Sequence, residues 1–99
     1  MHYITDLKNL EENVPFKARY NGQDIVIYLT KTGIYAVIDD CSHEHYHLSE
    51  SVAEDDKVEC KKHGSVFDLQ TGWPLVLPAL EPVKTFKVTV TDEKVYISE

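Results

Sequence analysis

The chain is poor in cysteine, in basic side chains and in long apolar runs. Two cysteines among 99 residues cannot build the several bridges of a small disulfide-rich domain. The longest apolar stretches, Ile25-Val26-Ile27-Tyr28-Leu29 and Ile34 to Ile38, are five residues each, against the roughly 20 that a membrane-crossing helix needs. Ten Lys and Arg face 17 Asp and Glu, a net charge of -7. That balance argues against nucleic acid or an anionic membrane as a partner, because both require clustered cations. A basic protein partner suits the charge better, and acidity also keeps a small protein soluble. The start, MHYITDLKNLEEN, has no basic head followed by an apolar run, so no secretory signal is read and a cytosolic protein is expected. Two cysteines in such a compartment point to metal or redox chemistry before a structural bridge.

What is present is ordinary globular material, 42 % hydrophobic and 27 % charged, in a length that suits one domain with one core. The periodicity is that of short strands. PFKARY (15–20) runs into the turn pair Asn21-Gly22 and returns as DIVIYL (24–29). IYAVID (34–39) follows a second turn, and FKVTV (86–90) is separated from VYIS (95–98) by Asp92-Glu93-Lys94. All four glycines, Gly22, Gly33, Gly64 and Gly72, fall at expected turns. The fold class expected is all-β, a small antiparallel barrel or sandwich. A turn or two around DLKNLEEN (6–13) is the one helical hint, and no repeat or linker interrupts the chain.

Two long segments do not read as strands of that frame: Cys41 to Gly64, and Asp68 to Val83 with Pro74, Pro78 and Pro82. Segments this long in a small domain are commonly functional. The first holds both cysteines and four of the five histidines, in CSHEHYHLSES (41–51) and CKKHGS (60–65). Cys41-Ser42-His43 and Cys60-Lys61-Lys62-His63 give the pattern C-x-H-x16-C-x2-H. Two thiolates and two imidazoles can hold a transition metal or an iron-sulfur cluster. A structural zinc site uses the same residue types, but its paired ligands are usually two to four residues apart, and C-x-H is short for that. In a two-iron cluster the pairs can divide, with both thiolates on one iron and both imidazoles on the other.

CSH (41–43), LSES (48–51), VECKKHGSVFDLQTG (58–72) and LPALEPVKTFKV (77–88) together resemble Rieske-type [2Fe-2S] proteins, most nearly the small soluble, disulfide-free Rieske ferredoxins. The resemblance covers the chain from about Asp24 to the end. It implies the Rieske fold, an antiparallel β-barrel or sandwich over residues 1–99, with a cluster-binding subdomain of two loops, about 41–47 and 60–65. A proline loop, about 73–82, would cover them. It implies one [2Fe-2S] cluster per chain, ligated by Cys41, His43, Cys60 and His63, with Gly64 and Ser65 beside it. His45 and His47 are then surface histidines of the loop, and His2 has no role. In the respiratory branch of the family two further cysteines bridge the loops. Their positions here are Tyr46 and Lys62, so that bridge is absent. That branch also directs a serine and a tyrosine hydroxyl at the cluster sulfurs, where this chain has Ser65 and Phe67.

Donors aimed at cluster sulfurs favour the reduced, more negative state and raise the potential. One donor fewer predicts the lower part of the range of roughly -150 to +300 mV known for such centres. The implied function is one-electron transfer from a flavoprotein reductase to a terminal oxygenase, by a monomer that is not itself an enzyme. The alternatives are the small Rieske-like subunit of an NAD(P)H nitrite reductase and a zinc-stabilised binding domain. The acidic stretch ESVAEDDKVE (50–59) is a candidate for steering a basic partner toward the cluster edge.

Overall fold

Turn chemistry frames the fold. Asn21 and Gly22 both take left-handed backbone angles, φ 52° and 76°, and so do Asp55-Asp56 and Asp92-Glu93, each pair at 52° and 61°. Two consecutive residues of this kind form the turn whose twist matches that of paired strands. The computed structural model describes residues 1–40, 47–61, 64–76 and 81–99. Cys41, His43, His45, Tyr46, Lys62, His63 and the 77–80 part of the proline loop lie outside the described residues.

Among the described residues ten strands follow in chain order: β1 (His2–Asp6), β2 (Phe16–Tyr20), β3 (Gln23–Leu29), β4 (Ile34–Ile38), β5 (Ala53–Glu54), β6 (Lys57–Glu59), β7 (Val66–Asp68), β8 (Pro74–Val76), β9 (Thr85–Thr91) and β10 (Lys94–Ser98). They form a six-stranded antiparallel sheet ordered β1-β10-β9-β4-β3-β2 and a four-stranded one ordered β5-β6-β7-β8. The larger sheet curls into a nearly closed barrel. Its two edges meet where the His2 and Tyr20 rings lie 5.7 Å apart, and the Asn21 side-chain amide donates to Glu99 at 2.9 Å. The all-β expectation holds, and the helical hint proves to be one 3-10 turn, Leu7–Asn9. Among the described residues no helix is long and apolar enough to cross a membrane.

The structure corrects the reading of the two long segments as loops. They carry three of the four strands of the second sheet, β5, β6 and β8, with most of β7 lying between them, and the acidic stretch 50–59 contains the β5–β6 hairpin. Strand β1 was not anticipated either.

Strand β3 explains how the two sheets share one chain. Alternate side chains of a strand face opposite ways. Ile25 and Ile27 enter the barrel core with Ala36, Phe86, Val95 and Ile97. Val26 and Tyr28 point the other way, into a second core with Leu48, Val58, Cys60, Phe67 and Leu69. Both faces are dry from Ile25 to Tyr28, so the strand is apolar over that stretch, each buried side chain contributing roughly 1.5–3 kcal/mol. The second core fastens the small sheet to the barrel wall.

Candidate metal centre

Cys60 is the expected ligand that the described residues contain, and it closes strand β6. Its neighbour Val58 is buried, and Cys60 itself is only 2 % exposed. Beyond it the chain reverses: the Cys60 N–H donates to the Ser65 carbonyl at 2.7 Å, and the Gly64 N–H donates to the Cys60 carbonyl at 2.8 Å. Gly64 adopts φ 77°, a backbone angle that a side chain disfavours. Ser65 is buried, at 2 %. The turn after Cys60 is thus pinned at both ends by main-chain hydrogen bonds, and the cysteine end sits in the inter-sheet core. Phe67, two residues on, is fully buried in the same core and presents no hydroxyl.

The first ligand segment is anchored where β4 ends and where the 3-10 turn Leu48–Glu50 begins. Asp39 lies 2 % exposed, an unusual place for a carboxylate. Its Oδ1 accepts the Ser49 N–H at 2.7 Å and its Oδ2 accepts the Ser49 hydroxyl at 2.7 Å. His47 Nδ1 stands 3.1 Å from the Asp39 carbonyl oxygen and 3.4 Å from its Oδ2. The His47 side chain is about half exposed, so it is a surface histidine as expected, yet one tied to a buried partner. Neither Asp39 nor Ser49 was singled out in the sequence. An aspartate two residues before Cys41 and a serine behind a buried leucine were the available signals.

On the third side, Gly72 joins the strands that flank the proline loop. Its N–H donates to the Asp68 carbonyl at 2.7 Å and its carbonyl accepts the Val83 N–H at 2.9 Å. Trp73, Leu75 and Val76 are all at least half exposed.

The acidic hairpin points elsewhere. Asp55 and Asp56 turn the chain at the start of β6, with Cys60 beyond its other end. The Asp56 carboxylate accepts a hydrogen bond from Thr32 at 2.6 Å. Hydrogen bonds from Thr30 and then Thr32 hold its pKa below the usual aspartate value. Of this stretch, Glu59 adjoins the cysteine.

The donor set suits a mixed thiolate and imidazole centre: a buried sulfur on a rigid turn, with a second Cys-His pair on a segment whose ends are clamped. A model of the Rieske [2Fe-2S] domain matches residues 1–87. The 3-phenylpropionate/cinnamic acid dioxygenase ferredoxin subunit of Photorhabdus laumondii is 36 % identical over 97 residues, 97 % of this chain and 91 % of that one. The anthranilate 1,2-dioxygenase ferredoxin subunit of Burkholderia cepacia is 34 % identical over 98 residues, covering 98 % and 90 %. A chain in the solved complex of reduced oxygenase and oxidized ferredoxin in carbazole 1,9a-dioxygenase superposes with a TM-score of 0.89 at 27 % identity, covering 97 % of this chain and 99 % of that one.

Proposed function

The chain belongs to the Rieske [2Fe-2S] domain family, and from that premise we propose that it is the ferredoxin component of a multicomponent aromatic-ring dioxygenase, passing single electrons from a flavoprotein reductase to the terminal oxygenase. The relatives that match nearly end to end are ferredoxin subunits of such systems. The observation that carries the reading within this structure is Cys60, buried and held on a doubly hydrogen-bonded turn. A zinc-stabilised binding domain would use the same residues, but family membership selects the iron-sulfur reading.

In this proposal residues 1–99 form one Rieske domain. Cys41 and Cys60 hold one iron, His43 and His63 the other, and Gly64 and Ser65 adjoin them. The loops involved are about 41–47 and 60–65, with the proline loop at about 73–82. When bound, the cluster supplies a one-electron site, which this donor set holds near neutral when oxidised and about one charge more negative when reduced. The protein's part is to limit rearrangement as the charge changes. The Cys60 main chain is fixed by its bonds to Ser65 and Gly64, and the buried surroundings of its side chain exclude water from that wall. No substrate is transformed on the chain itself, so the oxygen chemistry belongs to the oxygenase partner. A monomer in the cytoplasm completes the proposal.

The test is the low-temperature EPR spectrum of the purified protein before and after dithionite. A rhombic signal that appears only on reduction, with an average g below that of an all-cysteine [2Fe-2S] cluster, is expected. A colourless, silent protein that iron and sulfide fail to reconstitute would overturn the reading. Reduction by a dioxygenase-system reductase, followed by reoxidation by its oxygenase, then tests the partners.

A further inference from the structure

We infer that Asp39 is the positioning residue of the first ligand segment, and that its buried negative charge holds the cluster's potential down. The inference rests on the ligand assignment just proposed. Asp39 directly follows β4, the strand that delivers the chain to Cys41, and Ser49 receives the chain after the segment. The carboxylate takes both of Ser49's donors, N–H and Oγ–H, each at 2.7 Å. His47, the last residue of the loop, faces the same residue through Nδ1. The Asp39 main chain is fixed in turn, its N–H donating to the Asp24 carbonyl at 2.9 Å. The two ends of a segment that carries two ligands are therefore joined through one buried side chain. This closes a loop that the barrel alone leaves open.

Electrostatics follows from the same placement. Two residues of chain reach at most about 7 Å, so the Asp39 backbone stays close to Cys41. A carboxylate removed from water is weakly screened, and a site that gains a negative charge on reduction is disfavoured by it. The two donors of Ser49 offset part of that field. Asp39→Asn keeps an acceptor for Ser49 and removes the charge, whereas Ser49→Ala keeps the charge and removes one compensating donor. The two substitutions must then move the potential in opposite directions. Loosening of the segment by itself would move both in the same direction.

The experiment is protein-film voltammetry of holoprotein for the wild type, Asp39→Asn and Ser49→Ala at one fixed pH, with the EPR spectrum of each reduced protein. Asp39→Asn is expected to raise the potential, shifting the reduced-to-oxidised ratio at a given electrode potential by about tenfold, which is 59 mV for a one-electron couple. Ser49→Ala is expected to lower it by less. An Asp39→Asn potential that is unchanged or lower overturns the inference, as does a shift of both variants in one direction. If Asp39→Asn does not yield holoprotein, Ser49→Ala decides alone: a fall supports the inference, and a rise or no change overturns it. A wild type with no reduction-dependent rhombic signal overturns the cluster assignment, and this inference with it, before any variant is compared.

Discussion

The hydroxyl of Tyr28 lies 2.7 Å from the carbonyl oxygen of Ser51 and 2.9 Å from that of Leu48. Tyr28 is fully buried on β3, and the two carbonyls open and cap the 3-10 turn that receives the chain after the first ligand segment. Burial, and after it the Asp39 carboxylate, push the phenol far above its usual pKa, so the hydroxyl stays a donor into strongly alkaline solution. The barrel wall thus holds the 3-10 turn through the Tyr28 oxygen as well as through the Asp39 carboxylate.

Tyr28→Phe removes that donor and leaves the Ser51 carbonyl without it in a dry core. An unsatisfied buried acceptor costs about 1–3 kcal/mol. For a domain of this length each kcal/mol lowers the melting temperature by roughly 4–8 °C. Thermal unfolding followed by circular dichroism should show a loss in that range, with the ring's own packing retained. A melting temperature equal to wild type would show that the bond contributes nothing net.

Gly72 makes a sharper demand. A Cβ added there would stand 2.2 Å from the Val83 carbonyl oxygen and 3.0 Å from Thr85 Cγ2, and its φ of 81° already disfavours a side chain. The backbone contact cannot yield without separating the strands that flank the proline loop. Gly72→Ala should cost more than about 2 kcal/mol, while Gly22→Ala, where nothing stands within 4 Å, should cost clearly less. Denaturant unfolding of the two variants side by side checks the ranking.

How far these features were legible depended on how local they are. Asn21-Gly22 announces its turn because both residues tolerate left-handed backbone, and the continuous DIVIYL run is that of a strand dry on both faces. The small sheet was not legible. Its strands are two or three residues long, too short to show alternation, and β8 opens on Pro74, which is tolerated because β8 is an edge. Asp39, next to Asp40, reads as solvent-facing acid. Its burial goes with Ser49, ten residues away, whose two donors it accepts. The four ligands proposed are those that the resemblance implied, and the structure describes the setting of one of them, Cys60.

Asp56 gives the structure a defined response to acid. Its pKa in the folded chain is lowered below the ordinary 3.8 by hydrogen bonds from Thr30 and Thr32. A carboxylate depressed on folding contributes stability that is fully present above its unfolded pKa and is lost as pH falls through the folded one. The bonds join the β5–β6 turn to the barrel turn at Thr30–Gly33, where Thr32 also meets the Tyr35 hydroxyl at 2.7 Å. The tie between the sheets should weaken as pH falls below 3.8 and be lost once pH has passed the lowered pKa of the folded chain. Asp56→Asn suits the left-handed backbone, φ 61°, and keeps an acceptor without a proton to gain. Its stability should fall less steeply than wild type between pH 4 and pH 2, roughly the span around and below the ordinary aspartate pKa. Parallel slopes would remove Asp56 from the acid response.

If the ligand assignment proposed above holds, Ser65 is the residue expected to raise the potential. It is buried, follows the turn that Cys60 opens, and has its carbonyl committed to the Cys60 N–H. The main-chain bond fixes the residue whatever side chain it carries, so Ser65→Ala should leave the turn in place. What the substitution removes is a hydroxyl beside the proposed cluster. A donor to a sulfur favours the reduced state because charge on that sulfur grows on reduction. Phe67 supplies no second hydroxyl, and its place in the inter-sheet core leaves Ser65 to act without that partner. A hydrogen bond of about 1 kcal/mol corresponds to roughly 40 mV for one electron. Ser65→Ala is therefore expected to lower the potential by tens of millivolts with little change in melting temperature. An unchanged potential in protein-film voltammetry would show that the Ser65 hydroxyl serves the turn and not the redox site.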